Sequence, residues 1–302
     1  MRIGIIGLGK MGFNMSLRLK KHGIEVVAYD SDSKACERAK ASQIDTKRSI
    51  EEVLYSIGKP KIVLSVVPSG KATNEVLNEL FEKMDPEDIV VDCGNSHYKE
   101  SIEWGEKFAK KGVRFVDAGV SGGIHGLKNG YCIMAGGDKS AVDYLKPVFL
   151  ALTCEKGFVY TGGYGRGHYV KMVHNAIEYA MMEALAEGAQ LLHEGPFEDL
   201  NTLEIYEAWN HGSIVSSFLL EMLLESESNK KDLEDTLPCV PDSGEGRWAA
   251  ETAIEYKIPA FGIIQSLLIR FLSQKEEPLF LKLLALQRNK FGGHEVKRKT
   301  KE

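Results

Sequence analysis

Metal-ligand spacing is missing from this sequence. Its five cysteines, Cys36, Cys93, Cys132, Cys154 and Cys239, never form a C-x-x-C pair and no histidines stand beside them at ligand intervals, which argues against a zinc site and leaves no metal to expect. An odd number of scattered thiols suits a reducing compartment, where they serve as small buried hydrophobes. Concentrated positive charge is also lacking. There are 38 Lys and Arg against 43 Asp and Glu, a formal charge of −5, and the one local basic run, Lys297, Arg298, Lys299 and Lys301, reads as a frayed tail, so no nucleic-acid partner is expected. Nor is there a long hydrophobic run. FGIIQSLLIRFL is interrupted by Arg270 and is too short to cross a bilayer, and with a strand in place of a leader peptide at the start the expectation is a cytoplasmic protein without a membrane partner.

What the chain does have is ordinary globular material: 302 residues, 43% apolar and 27% charged, enough for two domains. In MRIGIIGLGKMG a short apolar strand runs directly into Gly7, Gly9 and Gly12, with Lys10 and Met11 between the last two, and a helical pattern follows through Leu17 and Leu19. In that spacing the first glycine permits a tight turn, the second lets a pyrophosphate approach the backbone, and the third lets helix and strand pack closely. A structural turn would use the same residues; the context favours a dinucleotide. The next strand, GIEVVAYD, ends at Asp30, where a carboxylate accepts hydrogen bonds from the adenosine ribose hydroxyls and repels a 2'-phosphate. NAD is therefore the expected cofactor, with Lys34 and Arg38 close enough in sequence to keep NADP open.

Helices over 49–57, 72–84 and 98–111 alternate with strands over 61–67, 88–92 and 114–118, and YCIMAGG and GFVYTGG add two strands around a helix over 140–152. Such alternation predicts parallel strands with crossover helices, the doubly wound arrangement, whose ligands gather at the carboxyl ends of the strands. Those ends carry Val67-Pro68-Ser69-Gly70, Cys93-Gly94-Asn95-Ser96 and Gly119-Val120-Ser121-Gly122-Gly123. Each is either an ordinary turn or a seat for a nicotinamide ring and a polyhydroxylated substrate. Beyond Gly162 no strand is expected, which divides the chain into a dinucleotide-binding Rossmann-like α/β domain over 1–163 and an all-α domain over 164–302.

The glycines Gly163, Gly165 and Gly167 open a long pattern without proline, predicted as one helix to Glu194. Helical spacing sets Lys171, His174, Asn175, Glu178 and Tyr179 on one face. A face like that is either wet surface or a reaction site; Met and Ala on the other sides favour a pocket wall.

GLGKMG, DCGNSHYKES, VSGG, GHYVKMVHNAIEY, RWAAETAIEYKIP and RNKFGGH, in this order and across almost the whole chain, resemble the decarboxylating 6-phosphogluconate dehydrogenase family. The wider beta-hydroxyacid dehydrogenase superfamily shares the glycines, Lys171 and Asn175. GNS-x-Y-K and the group His174, Glu178 and Tyr179 separate this chain from those relatives, and its length is similar to the short, NAD-preferring branch.

The resemblance implies oxidative decarboxylation of 6-phosphogluconate to ribulose 5-phosphate. Lys171 would act as general base and later acid, Glu178 as proton donor, and Asn175 beside them. A lysine is a base only when neutral, a state that burial favours. Gly7, Gly9, Lys10, Met11, Gly12, Asp30, Val67, Pro68 and Asn95 would hold NAD. Asn95, Ser121, Gly122, Gly123, His174 and Asn175 would hold the sugar acid, with Tyr179, Arg270, Arg288 and His294 at its phosphate and tail. A homodimer or higher homo-oligomer is implied by analogy. One departure stands out: DSGEGRW places Ser243 and Glu245 where the long enzymes carry a lysine and a threonine. A carboxylate there would repel a phosphate unless it turned away or paired with Arg247, so a dehydrogenase or reductase of another, unphosphorylated beta-hydroxy acid is the alternative.

Overall fold

The computed structural model describes residues 1–292 and 295–298. The chain divides into two compact units, Met1–Asn175 and Ala176 onward. The division therefore falls inside a helix rather than ahead of it.

The first unit holds strands β1 (Arg2–Ile6), β2 (Glu25–Tyr29), β3 (Asp45–Thr46), β4 (Ile62–Ser65), β5 (Ile89–Asp92), β6 (Arg114–Ser121), β7 (Tyr131–Gly137) and β8 (Thr153–Gly162). They form one sheet in the order β3-β2-β1-β4-β5-β6-β7-β8. Around it lie α1 (Lys10–Lys21), α2 (Ser33–Ala41), α3 (Ile50–Ser56), α4 (Lys71–Lys83), α5 (Tyr98–Lys110), the short α6 (Gly126–Asn129), α7 (Lys139–Tyr144), α8 (Lys146–Leu152) and the start of α9 (Arg166–Glu194). Because β1 lies between β2 and β4, the chain order reverses there and opens a crevice at the strand ends.

Both faces of this sheet are covered, and the side chains alternate accordingly. Ile3, Ile5, Leu64, Val91, Val116 and Ala118 join one core, whereas Ile6, Val63, Val90 and Phe115 join the other with Phe108 of α5. Burial on both sides explains the unbroken apolar runs IVLS and IVVD.

The structure departs from the all-parallel expectation at one seam, where β6 and β7 pair antiparallel, Ser121 opposite Cys132 and Gly119 opposite Met134. The link from Gly122 to Gly130 is too short for a crossover, which needs a dozen or more residues. The same pairing extends β6 to Ser121, past the Ala118 end read from sequence. The helix expected over 140–152 is two, α7 and α8, meeting at Leu145, with Pro147 in the first turn of α8.

The second unit continues α9 and adds α10 (Thr202–Asn210), α11 (Phe218–Ser228), α12 (Lys230–Asp235), α13 (Glu245–Glu255), α14 (Phe261–Ser273) and α15 (Leu279–Gly292). No strand occurs here among the described residues, and none of their helices is long and apolar enough to cross a membrane. Side-chain caps start α10 and α11: Asn201 accepts from Glu204 and Ser217 from Leu220. Its small core joins Tyr179, Ala250 and Leu267, with Ile264 and Phe271 against them.

Candidate active site

The loop between β1 and α1 follows from its glycines. Gly7 has φ +98°, and a Cβ there would lie 2.3 Å from the Val66 carbonyl oxygen; only glycine fits. A Cβ on Gly12 would lie 2.0 Å from the Gly7 oxygen, so the third glycine brings helix to loop. Around Gly9 a Cβ would meet nothing within 4 Å, and no side chain caps α1, which leaves space and backbone donors for a pyrophosphate. Lys10 is exposed at the head of α1 and Met11 half-buried behind it. Asp30 follows β2; its Oδ2 accepts from the Leu8 amide at 2.5 Å and its Oδ1 from the Asp32 amide at 2.8 Å. Arg38 donates to the Leu8 carbonyl at 2.6 Å and stacks 4.9 Å from the Phe13 ring centroid. Its guanidinium is thus engaged on the loop.

At the ends of β4 and β5 the loops meet. A Cβ on Gly94 would come within 2.9 Å of the Val67 carbonyl oxygen. Val67 is half-buried, whereas Pro68 and Asn95 are exposed. Asp92, itself buried, shapes the second loop by accepting from the Gly94 amide at 2.9 Å and the Ser96 hydroxyl at 2.7 Å. Gly122 and Gly123 follow β6 with φ +123° and +50°.

The first turns of α9 lie directly on β6 and β7. Buried Asp117 accepts from the Gly165 amide at 2.8 Å and the His168 amide at 2.9 Å. A Cβ on Gly167 would lie 2.2 Å from the Asp117 carbonyl oxygen, and one on Gly119 would lie 2.3 Å from the Lys171 Cβ. Lys171 is consequently only 6% exposed and Asn175 9%. Ser121 Oγ lies 3.2 Å from His174 Nε2, and His174 Nδ1 lies 3.1 Å from Asn175 Oδ1. The structure therefore brings Ser121, Lys171, His174 and Asn175 together on one side of β6. Asp117 and His168 escaped the sequence reading; the available signal was the two-residue step from Asp117 to Gly119 to Ser121.

On the continuation of α9, Glu178 is half-buried and Tyr179 is buried. The Arg270 guanidinium sits 3.4 Å over the Tyr179 ring centroid and donates to the Pro241 carbonyl at 3.1 Å. The Tyr179 hydroxyl accepts from the Ser243 amide at 3.1 Å and lies 3.2 Å from Ser243 Oγ. Ser243 Oγ donates to Glu245 at 2.5 Å, and Glu245 is 2% exposed. Arg247 binds Asp242 at 2.9 Å. Arg288 is exposed on α15, and among the described residues the Tyr179 hydroxyl is bonded by Ser243. His294 lies outside the described residues.

A doubly wound sheet whose first helix begins without a side-chain cap, with Asp30 at the end of the second strand, is the arrangement of a dinucleotide-binding domain. The family described as the NAD binding domain of 6-phosphogluconate dehydrogenase matches residues 2–162, and the 6-phosphogluconate dehydrogenase C-terminal domain matches residues 167–280. This chain belongs to the 6-phosphogluconate dehydrogenase family, and NAD is its cofactor. It is 38% identical, over 99% of both chains, to the NAD(+)-dependent, decarboxylating 6-phosphogluconate dehydrogenase of Haloferax volcanii. To the NADP(+)-dependent, decarboxylating enzyme of Bacillus subtilis it is 34% identical over 91% of its own length but 62% of that protein. Among solved structures it is similar to Plasmodium falciparum 6-phosphogluconate dehydrogenase, studied in its apo form, with NADP+ and with 6-phosphogluconate. The TM-score is 0.85 at 27% identity, covering 100% of this chain and 67% of that one.

Proposed function

We propose that the protein oxidises and decarboxylates 6-phospho-D-gluconate to D-ribulose 5-phosphate and carbon dioxide. The observation that carries this reading is a buried lysine stem seated on Gly119 beside the Ser121–His174 pair, with Glu178 two turns further along the same helix. Gly7, Gly9, Lys10, Met11, Gly12 and Asp30 would hold the adenosine and pyrophosphate of NAD, and Val67, Pro68 and Asn95 its nicotinamide end. Bound NAD supplies the hydride acceptor.

Neutral Lys171 removes the proton from the C3 hydroxyl as hydride leaves C3. The product is a beta-keto acid, and its C1–C2 bond breaks with the electron pair moving toward the keto oxygen, which protonated Lys171 stabilises. Carbon dioxide departs and Lys171 delivers its proton to form the enediol. Glu178 then protonates the carbon that lost carbon dioxide while Lys171 takes back the enediol hydroxyl proton; transfer of that proton to Glu178 resets the pair. Asn95, Ser121, Gly122, Gly123, His174 and Asn175 would bind the carboxylate and hydroxyls, and Tyr179 and Arg270, with Arg288 and His294, the phosphate and tail. Arginine suits that task because its fork matches phosphate oxygens.

The Ser243–Glu245 bond next to Tyr179 supports a second reading, in which the hydroxy acid carries no phosphate. One experiment separates the two: carbon dioxide release coupled to NADH formation, measured for 6-phosphogluconate and gluconate with NAD and NADP. Release from 6-phosphogluconate with NAD supports the first reading; turnover of gluconate alone supports the second, and turnover of neither removes both.

Assembly into a homodimer or higher homo-oligomer belongs to the same proposal. Exposed Leu268, Ile269 and Leu272 on α14 and Leu279, Leu283 and Leu286 on α15 support it. A cytoplasmic setting is supported by five free thiols.

A further inference from the structure

Strand β6 and helix α9 meet at three successive levels. The side of β6 carrying Val116, Ala118 and Val120 belongs to the sheet core, so Asp117, Gly119 and Ser121 face the other way. They engage α9 at residues spaced one turn apart: Asp117 at the His168 amide, Gly119 at the Lys171 Cβ, and Ser121 at the His174 ring. The middle level carries the lysine. Glycine there means that only a hydrogen atom separates strand from lysine stem.

The first level grips the helix. Both oxygens of the fully buried Asp117 are engaged at the start of α9, one by Gly165 just ahead of it and one by His168 in its first turn. Burial pushes the Asp117 carboxyl above its ordinary range, while His168 and the His168 and Gly165 amides act the other way. A second strut fixes the same turn: His168 is 2% exposed and its Nδ1 lies 2.7 Å from Ser101 Oγ of α5. Asp92, opposite Asp117 in the sheet register, is already committed to the Gly94 and Ser96 loop. The two neighbouring carboxylates thus serve different parts of the site, and neither has a role in the proton transfers described above.

We infer that Asp117 is a positioning residue for the oxidation step: by holding the start of α9 through both oxygens, it sets the height and rotation at which Lys171 meets the hydroxyl it deprotonates. The inference rests on the reading of Lys171 as the base. A shift of about 1 Å at a reacting group can cost on the order of 10²-fold in rate without altering binding.

Asp117→Asn tests it, because the carboxamide offers one acceptor where two amides need one each. Turnover with NAD and 6-phosphogluconate should fall ~10-fold or more while NAD affinity holds within about twofold, since misplacement acts on the reacting geometry and not on the cofactor loop. With substrate deuterated at C3, the isotope effect on turnover should rise as hydride transfer becomes the slow step, a change that lowered stability alone would not produce. Gly119→Ala, which presses on Lys171 while leaving the cap intact, should give the same pattern. Wild-type turnover and isotope effect in both variants, alongside an inactive Lys171→Met, would overturn the inference and spare the lysine. An active Lys171→Met would instead remove the reading beneath it. Loss of NAD binding in both Asp117→Asn and Gly119→Ala would also overturn the inference, as the sign of a fold-wide defect; if Asp117→Asn alone loses it, the Gly119→Ala result decides.

Discussion

The α/β unit and the helical unit use their apolar residues in opposite ways. In the first, Ile3, Leu64 and Val91 are fully buried in a sheet covered on both faces. In the second, Phe261 is 81% exposed and Leu268 55%, and the core gathered around Tyr179 is small. A helix stripe that rich in leucine ordinarily lies against something. The comparison teaches that the first unit buries its large apolar side chains within one chain, whereas the helical unit leaves many of its own exposed, the residues on which the proposed assembly rests.

Chemistry gives the sharpest way to test that division of labour. Lys171→Met should cut turnover by on the order of 10²- to 10⁴-fold, the usual worth of a general base, and leave NAD binding in the first unit unchanged by calorimetry. Next in size are the two leucines. Leu64→Ala should lower unfolding free energy by about 2–5 kcal/mol in denaturant titrations, because it leaves a cavity inside the sheet core. Leu268→Glu should leave that value nearly untouched yet shift sedimentation toward the single chain; an unchanged sedimentation coefficient would break the comparison on its helical side.

Smaller still is the effect at the ribose end. Asp30→Ala should weaken NAD roughly 10-fold, the scale of one or two hydrogen bonds to a charged group, and NADP less, as read by fluorescence titration. Equal weakening of both would detach the carboxylate from cofactor choice.

The smallest effect concerns pH and the helical unit. Burial acts to raise the Glu227 carboxyl, but hydrogen bonds from Thr202, Tyr206 and His193 and the charge of His193 outweigh it, leaving the group below its ordinary 4.5. A lowered carboxyl contributes stability above its unfolded value and loses it as pH falls through the folded one. Hydrogen-exchange protection factors in α10 and α11 should therefore fall below about pH 4.5, and Glu227→Gln should flatten that dependence. Since its charged partner His193 is half-exposed and screened by solvent, the change should stay under ~1 kcal/mol.

Much of this architecture was legible from residue order alone. Three glycines ahead of a helical pattern and an aspartate closing the second strand located the dinucleotide loop, because backbone sterics allow few other residues there. The long helix from Arg166 was visible in its periodicity. The antiparallel seam was not, since YCIMAGG reads as a strand in either direction and only the shortness of the Gly122–Gly130 link decides. The break at Leu145 hid behind Pro147, which the first turn of a helix tolerates. At the site, composition named the polar face of α9 but could not disclose what buries it. Asp117 sits far from Lys171 in sequence, and Arg247 took Asp242, a partner that the sequence reading did not weigh.

The hydrogen-lined contact at Gly119, Gly136 and Gly167 has a bearing on any attempt to redesign the enzyme. A Cβ at each of these positions would come within 2.3, 2.6 and 2.2 Å of its neighbour, so that wall of the pocket offers no room for variation by side-chain choice. Gly123, whose added Cβ would meet nothing within 4 Å at φ +50°, is a conformation asparagine tolerates. Libraries aimed at new sugar acids should accordingly vary the rim after β6 and leave the floor beneath the lysine untouched.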